Sequence, residues 1–206
     1  ANDDGVVYGI YTNYGVQLDP SEDPSTYLYE NGINCEHLWP QSLYEGSSPM
    51  KSDMHHLRPS KENVNSARSN KPFDEIPDYQ TNTWYWQSYQ YSNVPQTNIN
   101  EFSESGDSSF EPREDVKGDI ARSMFYFYTM YSDVADENFF NFQKDILYQW
   151  HSNDPVTDLE IERTWSIASF QNNKPNPFLL DSSLIYRAYF YEIGDIENGD
   201  INLDGL

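Results

Sequence analysis

Apolar positions along this chain change their period as it proceeds. Val6, Val7, Tyr8, Ile10 and Tyr11 crowd into six residues around Gly9, which reads as a short strand. Residues 33–39 form a second extended run, stopped by Pro40, and the Pro/Ser/Asp-rich stretch 19–25 between the two reads as a loop. Residues 61–70 are polar and free of Gly and Pro. With Ser60 placed to cap and Glu62 in the first turn, they predict a short helix. The stretch 77–109 is dense in Tyr, Trp, Asn, Gln and Ser and reads as a long decorated loop. Its Trp84, Tyr85, Trp86, Tyr89 and Tyr91 suit either stacking on bases or sugars or, more simply, pinning the loop to the body. Thereafter the period becomes helical. Val116, Ile120, Met124, Phe127 and Tyr131 recur at three- and four-residue spacing across 115–131. Residues 138–150 and 158–170 continue the pattern, which ends at 172–177, and no internal repeat appears.

Composition sharpens this picture. The 206 residues suit one domain, or one domain with a small appendage. Aromatics make up 16%, including 17 Tyr, which argues against a disordered chain. No apolar run approaches the 18 or so residues of a membrane span. Ala1 opens a polar segment without a basic or apolar leader, so the expectation is a secreted protein whose signal peptide has been removed. A single cysteine, Cys35, forbids an internal disulfide.

Charge is the oddest feature: 12 Lys+Arg face 34 Asp+Glu, a net of −22. That disfavours nucleic acid as a partner, since phosphate is bound by cations. Residues 51–71, however, hold Lys51, Arg58, Lys61, Arg68 and Lys71 against only Asp53 and Glu62. Such an island fits a site for an anionic ligand, or a chance cluster on a solvated helix face.

Three of the four histidines, His37, His55 and His56, lie within twenty residues of one another beside that island. Glu36-His37 ends an extended run, Asp53 to Pro59 forms a polar turn, and the predicted helix carries Asn63, Asn65 and Arg68. In a compact ββα unit of this kind, one imidazole faces a hard metal held by a carboxylate and an amide oxygen. Oxygen donors suit Mg²⁺ better than Zn²⁺. A neutral imidazole there takes a proton from water attacking phosphorus. A surface Glu-His pair and a loop with two filler histidines would satisfy the spacing equally well.

Larger blocks resolve that choice. Asn34-Cys35-Glu36-His37-Leu38-Trp39-Pro40 is followed by Asp53-Met54-His55-His56-Leu57-Arg58-Pro59 and Val64-Asn65-Ser66-Ala67-Arg68-Ser69-Asn70. Phe110-Glu111-Pro112-Arg113, Lys117-Gly118-Asp119-Ile120-Ala121-Arg122, Trp150-His151 with Asp154-Pro155-Val156, Glu160 with Arg163, and Gln171 to Phe178 come later. In this order, over about residues 30 to 181, the chain resembles the endonuclease I family of secreted or periplasmic nonspecific nucleases, of the ββα-metal (His-Me finger) superfamily. The resemblance implies an α+β fold, with a ββα catalytic unit packed on a mostly helical body across residues 1–190. It implies an endonuclease acting on DNA and RNA to leave 5′-phosphate ends. His37 matches the general base; Glu36 and Asn65 match ligands of a Mg²⁺ for which Mn²⁺ or Ca²⁺ substitutes. His55 and His56, in the turn before the helix, match a supporting and orienting role.

Arginine roles are less determined. Relatives with a phosphate-contacting Arg carry it in a disulfide-braced insertion, and only fifteen residues separate His37 from Asp53 here. Arg113 and Arg58 are the favoured phosphate contacts, with Arg68 as a structural partner of Glu36 or another carboxylate. Arg122, Arg163 and Asp154 suit buried charge pairs, Gly118 close packing, and His151 a satisfied place in the core. No obligate protein partner is evident. Two readings from other classes remain. One is a catalytically inactive polysaccharide- or nucleic-acid-binding module; the other is a zinc hydrolase using His37, His55, His56 and Asp53, for which the His-Glu-x-x-His spacing is missing. Residues 191–206 form an acidic tail. Its Asp200, Asn202, Asp204 and Gly205 resemble the first half of a calcium loop, or the start of a dockerin-like repeat.

Overall fold

The computed structural model describes residues 5–191, so the acidic tail and its half-loop lie outside the described residues. Two short strands, β1 (Val6–Tyr8) and β2 (Gly15–Gln17), pair antiparallel with Val7 opposite Val16. The apolar run at 6–11 ends as a strand at Tyr8 because the chain turns there: the Gly9 N–H bonds the Tyr14 carbonyl at 2.8 Å. Ile10 and Tyr11 then drop into the core, and the Ile10 N–H donates to the Pro59 carbonyl. Helix α1 (Pro24–Glu30) starts inside the stretch expected to be a loop. Its Asp23 carboxylate accepts the Thr26 N–H, and Pro24 sits at the first helical position, so these two residues start an element rather than interrupt one.

Strands β3 (Ile33–His37) and β4 (Leu57–Lys61) form an antiparallel hairpin, with Glu36 opposite Arg58 and His37 opposite Leu57. The segment after His55-His56 is therefore a strand, despite Pro59. A two-stranded ribbon leaves an edge where the missing N–H costs no ladder bond. Helix α2 (Glu62–Arg68) follows β4 without a loop and packs back on both strands. Its first flanking residue is Lys61, with no side-chain cap; Ser60 is buried in β4 rather than capping.

The stretch read as a decorated loop holds most of a four-stranded sheet. Strands β5 (Thr83–Trp86), β6 (Tyr89–Tyr91), β7 (Ser103–Ser105) and β8 (Phe110–Glu111) run antiparallel in the order β6-β5-β7-β8. Asn, Gln and Ser concealed this, yet the Thr-Trp-Tyr-Trp run is β-prone. Trp84 is wholly buried, whereas Tyr89 and Tyr91 are exposed.

Five helices complete the body: α3 (Lys117–Met130), α4 (Glu137–Asn153), α5 (Asp158–Phe170), α6 (Pro177–Leu180) and α7 (Leu184–Tyr189). Helix α3 is buried along most of its length and packs chiefly on α4. Asp136 caps α4, and Thr157 with Glu160 forms a reciprocal capping box on α5. Trp39, just past β3, stacks on Phe127 at 4.8 Å and meets Phe139 edge-on, which ties the hairpin to the helical core. The fold is α+β. Among the described residues, no helix is long and apolar enough to cross a membrane.

Candidate active site

His37 closes β3 where the hairpin opens into the long connection to β4. Its Nε2 lies 3.1 Å from the Lys51 carbonyl and its Nδ1 3.2 Å from the Gln41 side-chain amide. A carbonyl only accepts, so Nε2 carries the proton and the lone pair of the neutral ring is left on Nδ1. Burial lowers the His37 pKa below the ordinary imidazole value, against the Lys51 carbonyl, which favours the charged form. The ring is therefore a neutral base near pH 7.

Beside it, Glu36 is 2% exposed. Its Oε1 accepts the Tyr11 hydroxyl at 2.6 Å and meets the Arg68 guanidinium at 3.2 Å. Burial raises the Glu36 pKa, while Arg68 and Tyr11 act in the opposite sense. Arg68 is itself fully buried; it donates to the carbonyls of His37 and Leu38 and lies over the Phe73 ring. One arginine thus balances the carboxylate and fixes the backbone that presents the imidazole. Asn65, three residues earlier on α2, donates its amide to the Cys35 carbonyl at 3.3 Å, which leaves Oδ1 as a free acceptor. Cys35, Glu36, His37, Gln41 and Asn65 border one polar cleft of about 500 Å³. A carboxylate, an amide oxygen and room for water are a hard-donor set that suits Mg²⁺.

The two neighbouring histidines are both tied to backbone carbonyls. His56 is wholly buried, its Nε2 bonded to the Met50 carbonyl at 2.7 Å and its ring edge-on to His37 at 5.5 Å. Burial pushes its pKa down to about 4, so it packs against His37 as a neutral ring. His55 bonds the Lys174 carbonyl through Nε2. Asp53 anchors their turn: its carboxylate accepts from Tyr126, Tyr131, Gln171 and the His55 N–H. Arg163 adds bonds to the Met54 and Leu57 carbonyls, so it pairs with carbonyls and not, as expected, with a carboxylate. With Asp53 taken up by four donors and His55 and His56 by carbonyls, the structure does not bring His37, His55, His56 and Asp53 together as a zinc set.

The candidate phosphate arginines are both occupied. Arg58 lies 3.6 Å from Asp119. Arg113 bonds the Ile10 carbonyl at 2.9 Å and pairs with Asp115. Arg58 faces Glu36 across the hairpin; Arg113 reaches the segment that carries Tyr11 rather than the cleft lining. Arg122 pairs with the buried Glu160 at 2.8 Å, and His151 bonds the Ser182 carbonyl. Glu75, Glu111 and Glu114 converge closely enough to hold a cation. The Lys117 ammonium already sits among them at 2.7–2.8 Å, and Trp150 donates to Glu75. This is an ion network around the buried Lys117 rather than a second metal centre.

Sequence reasoning missed Tyr11, Gln41 and the Lys51 carbonyl. Each reaches the Glu36-His37 pair from a turn or a short 3-10 turn, and no spacing signals it.

The endonuclease I family profile matches residues 1–182. Curated relatives include an extracellular ribonuclease of Bacillus subtilis (strain 168), 31% identical over 163 residues, with 71% of this chain and 50% of that protein covered. An extracellular ribonuclease of Bacillus amyloliquefaciens is 30% identical over 161 residues, with the same coverage of 71% and 50%. The chain spans about half the length of these curated relatives. With the family profile matched over most of its length, the chain belongs to the endonuclease I family.

Proposed function

We propose that this chain is an extracellular, metal-dependent, sequence-tolerant endonuclease that hydrolyses the phosphodiester bonds of DNA and RNA. The unit made of β3, β4 and α2 is its ββα-metal (His-Me finger) catalytic unit. The observation that carries this reading is the neutral His37 whose Nε2 is tied to the Lys51 carbonyl. Its Nδ1 lone pair borders a polar cleft that also offers Glu36 and Asn65. The names of the relatives support both the substrate class and the location.

In the proposed reaction a water displaces the Gln41 amide at Nδ1 and gives its proton there. Its oxygen then bonds to phosphorus as the bond to the 3′ oxygen breaks, leaving a 5′-phosphate, and the departing oxygen takes a proton from solvent. Glu36 and Asn65 would hold a Mg²⁺, which when bound supplies charge stabilisation on the phosphate and leaving oxygen. Arg68 holds the His37 and Leu38 carbonyls, and so holds the base in place. Arg58 is the nearer phosphate candidate by its position opposite Glu36; Arg113 would have to leave Asp115 to serve.

Nicking of supercoiled plasmid and cleavage of single-stranded RNA, each with Mg²⁺ and with EDTA, test the reading. Cleavage of at least one substrate that EDTA abolishes is expected. Binding without cleavage in either condition would instead make this a binding module, and EDTA-resistant cleavage would remove the metal.

A further inference from the structure

A second cavity adjoins the polar cleft. It measures about 590 Å³ and shares Cys35 and Asn65 with its neighbour. Its walls differ in kind: Leu28 and Tyr29 from α1 face Ile33, Leu57 and Pro59 of the hairpin, with Arg58 and Asn34 on the polar side. A phosphodiester needs the polar cleft, but nothing in phosphate chemistry needs an apolar chamber beside it. The group covalently attached to a scissile phosphate that suits such walls is a nucleoside, whose flat base stacks on an aromatic ring. Tyr29 offers that ring at 68% exposure, on a helix that has no buried residue of its own.

Charge points the same way. A chain at −22 gains little from long-range attraction to a polyanion, so contacts that do not depend on salt must carry more of its affinity. Resting on the nuclease reading, we propose that the cavity between α1 and the β3–β4 hairpin is a base-binding subsite that takes one unpaired nucleobase next to the scissile phosphate. Tyr29 is its stacking platform. A base held in a duplex stack cannot enter, so the substrate class is single-stranded nucleic acid, or a strand locally splayed from its partner.

Binding and cleavage are measured separately for wild type, Tyr29→Ala and Tyr29→Phe. Dissociation constants are taken in EDTA by anisotropy, with labelled single-stranded RNA and DNA of one sequence and with the DNA duplex. Hydrolysis with Mg²⁺ is followed on the same single strands and on an oligomer of abasic tetrahydrofuran phosphates, a diester without a base or any other aromatic ring. Tyr29→Ala is expected to weaken binding of at least one single strand by roughly tenfold or more, the range of one lost base stack. Tyr29→Phe, which keeps the ring, should stay near wild type. RNA and DNA arms show which sugar the subsite accepts. Hydrolysis of the baseless diester should not change. Unaltered single-strand affinity in Tyr29→Ala overturns the subsite, as does an equal loss on the baseless diester. Failure of the wild type to hydrolyse any diester would count against the nuclease reading, while the anisotropy result still decides the subsite.

Discussion

His37 is held by one carbonyl and one amide, and everything asked of it depends on the lone pair at Nδ1. His37→Ala should lower DNA cleavage by about 10²- to 10⁴-fold with the melting temperature little changed, since a positioned base contributes that much; activity within tenfold of wild type would remove His37 from the role. The two metal candidates are not equivalent targets. Glu36 is buried against Arg68, so its removal strands a buried cation and costs about 3–5 kcal/mol. Asn65→Ala is the cleaner variant. It should raise the Mg²⁺ concentration for half-maximal rate, and an unshifted titration would mean that Asn65 is not a ligand. His56 makes a different prediction. Its pKa is about 4 in the fold against 6.5 unfolded, so the unfolded chain takes up a proton first as pH falls. Stability should therefore be lost from about pH 6.5 down to 4, by about 2 kcal/mol at pH 5 from this group alone. His56→Gln keeps a donor for Met50 but does not titrate. Urea unfolding at pH 7.5 and 5 should show a smaller loss in that variant than in wild type.

Among the elements, the junction of α3 with the segment after α4 leaves little room. The Gly118 N–H bonds the Asp154 carboxylate at 3.0 Å, and a Cβ on Gly118 would lie 2.7 Å from the Asp154 side chain and 2.8 Å from Arg122. Arg122 in turn pairs with Glu160 on α5. Gly118→Ala should cost about 1–3 kcal/mol through this overpacking. A lower melting temperature with unchanged activity per folded molecule at 25 °C is expected, because the hairpin that carries His37 is not part of that contact. A wild-type melting temperature would mean that the backbone yields there without cost.

Across the whole molecule, −22 charges repel a polyanion over about one Debye length, roughly 30 Å at 0.01 M salt and 8 Å at 0.15 M. In the proposed reaction salt also weakens cation–phosphate contacts such as that of Arg58. Repulsion should dominate at low ionic strength. Cleavage rate is then expected to rise with NaCl before it falls, a halotolerant profile. A steady decline from about 10 mM upward would show that the local contacts dominate throughout.

The sequence by itself determined the long helices, whose apolar residues repeat every three or four positions, and the family blocks that mark Glu36, His37 and Asn65. Both are local signals: a helix face and a motif lie within a few residues of one another. The four-stranded sheet was hidden because its strands are two to four residues long and lie in a stretch rich in Asn, Gln and Ser, so only cross-strand pairing makes them strands. β4 was hidden by Pro59, which a ribbon edge tolerates. Only the tertiary structure decided which groups surround the imidazole. Tyr11 reaches Glu36 from 25 residues away, Lys51 reaches His37 from 14, and Asp53 gathers Tyr126, Tyr131 and Gln171 from α3 and beyond α5. Hydrogen bonds act through space over about 3 Å and take no account of separation along the chain, so no period or spacing encodes them.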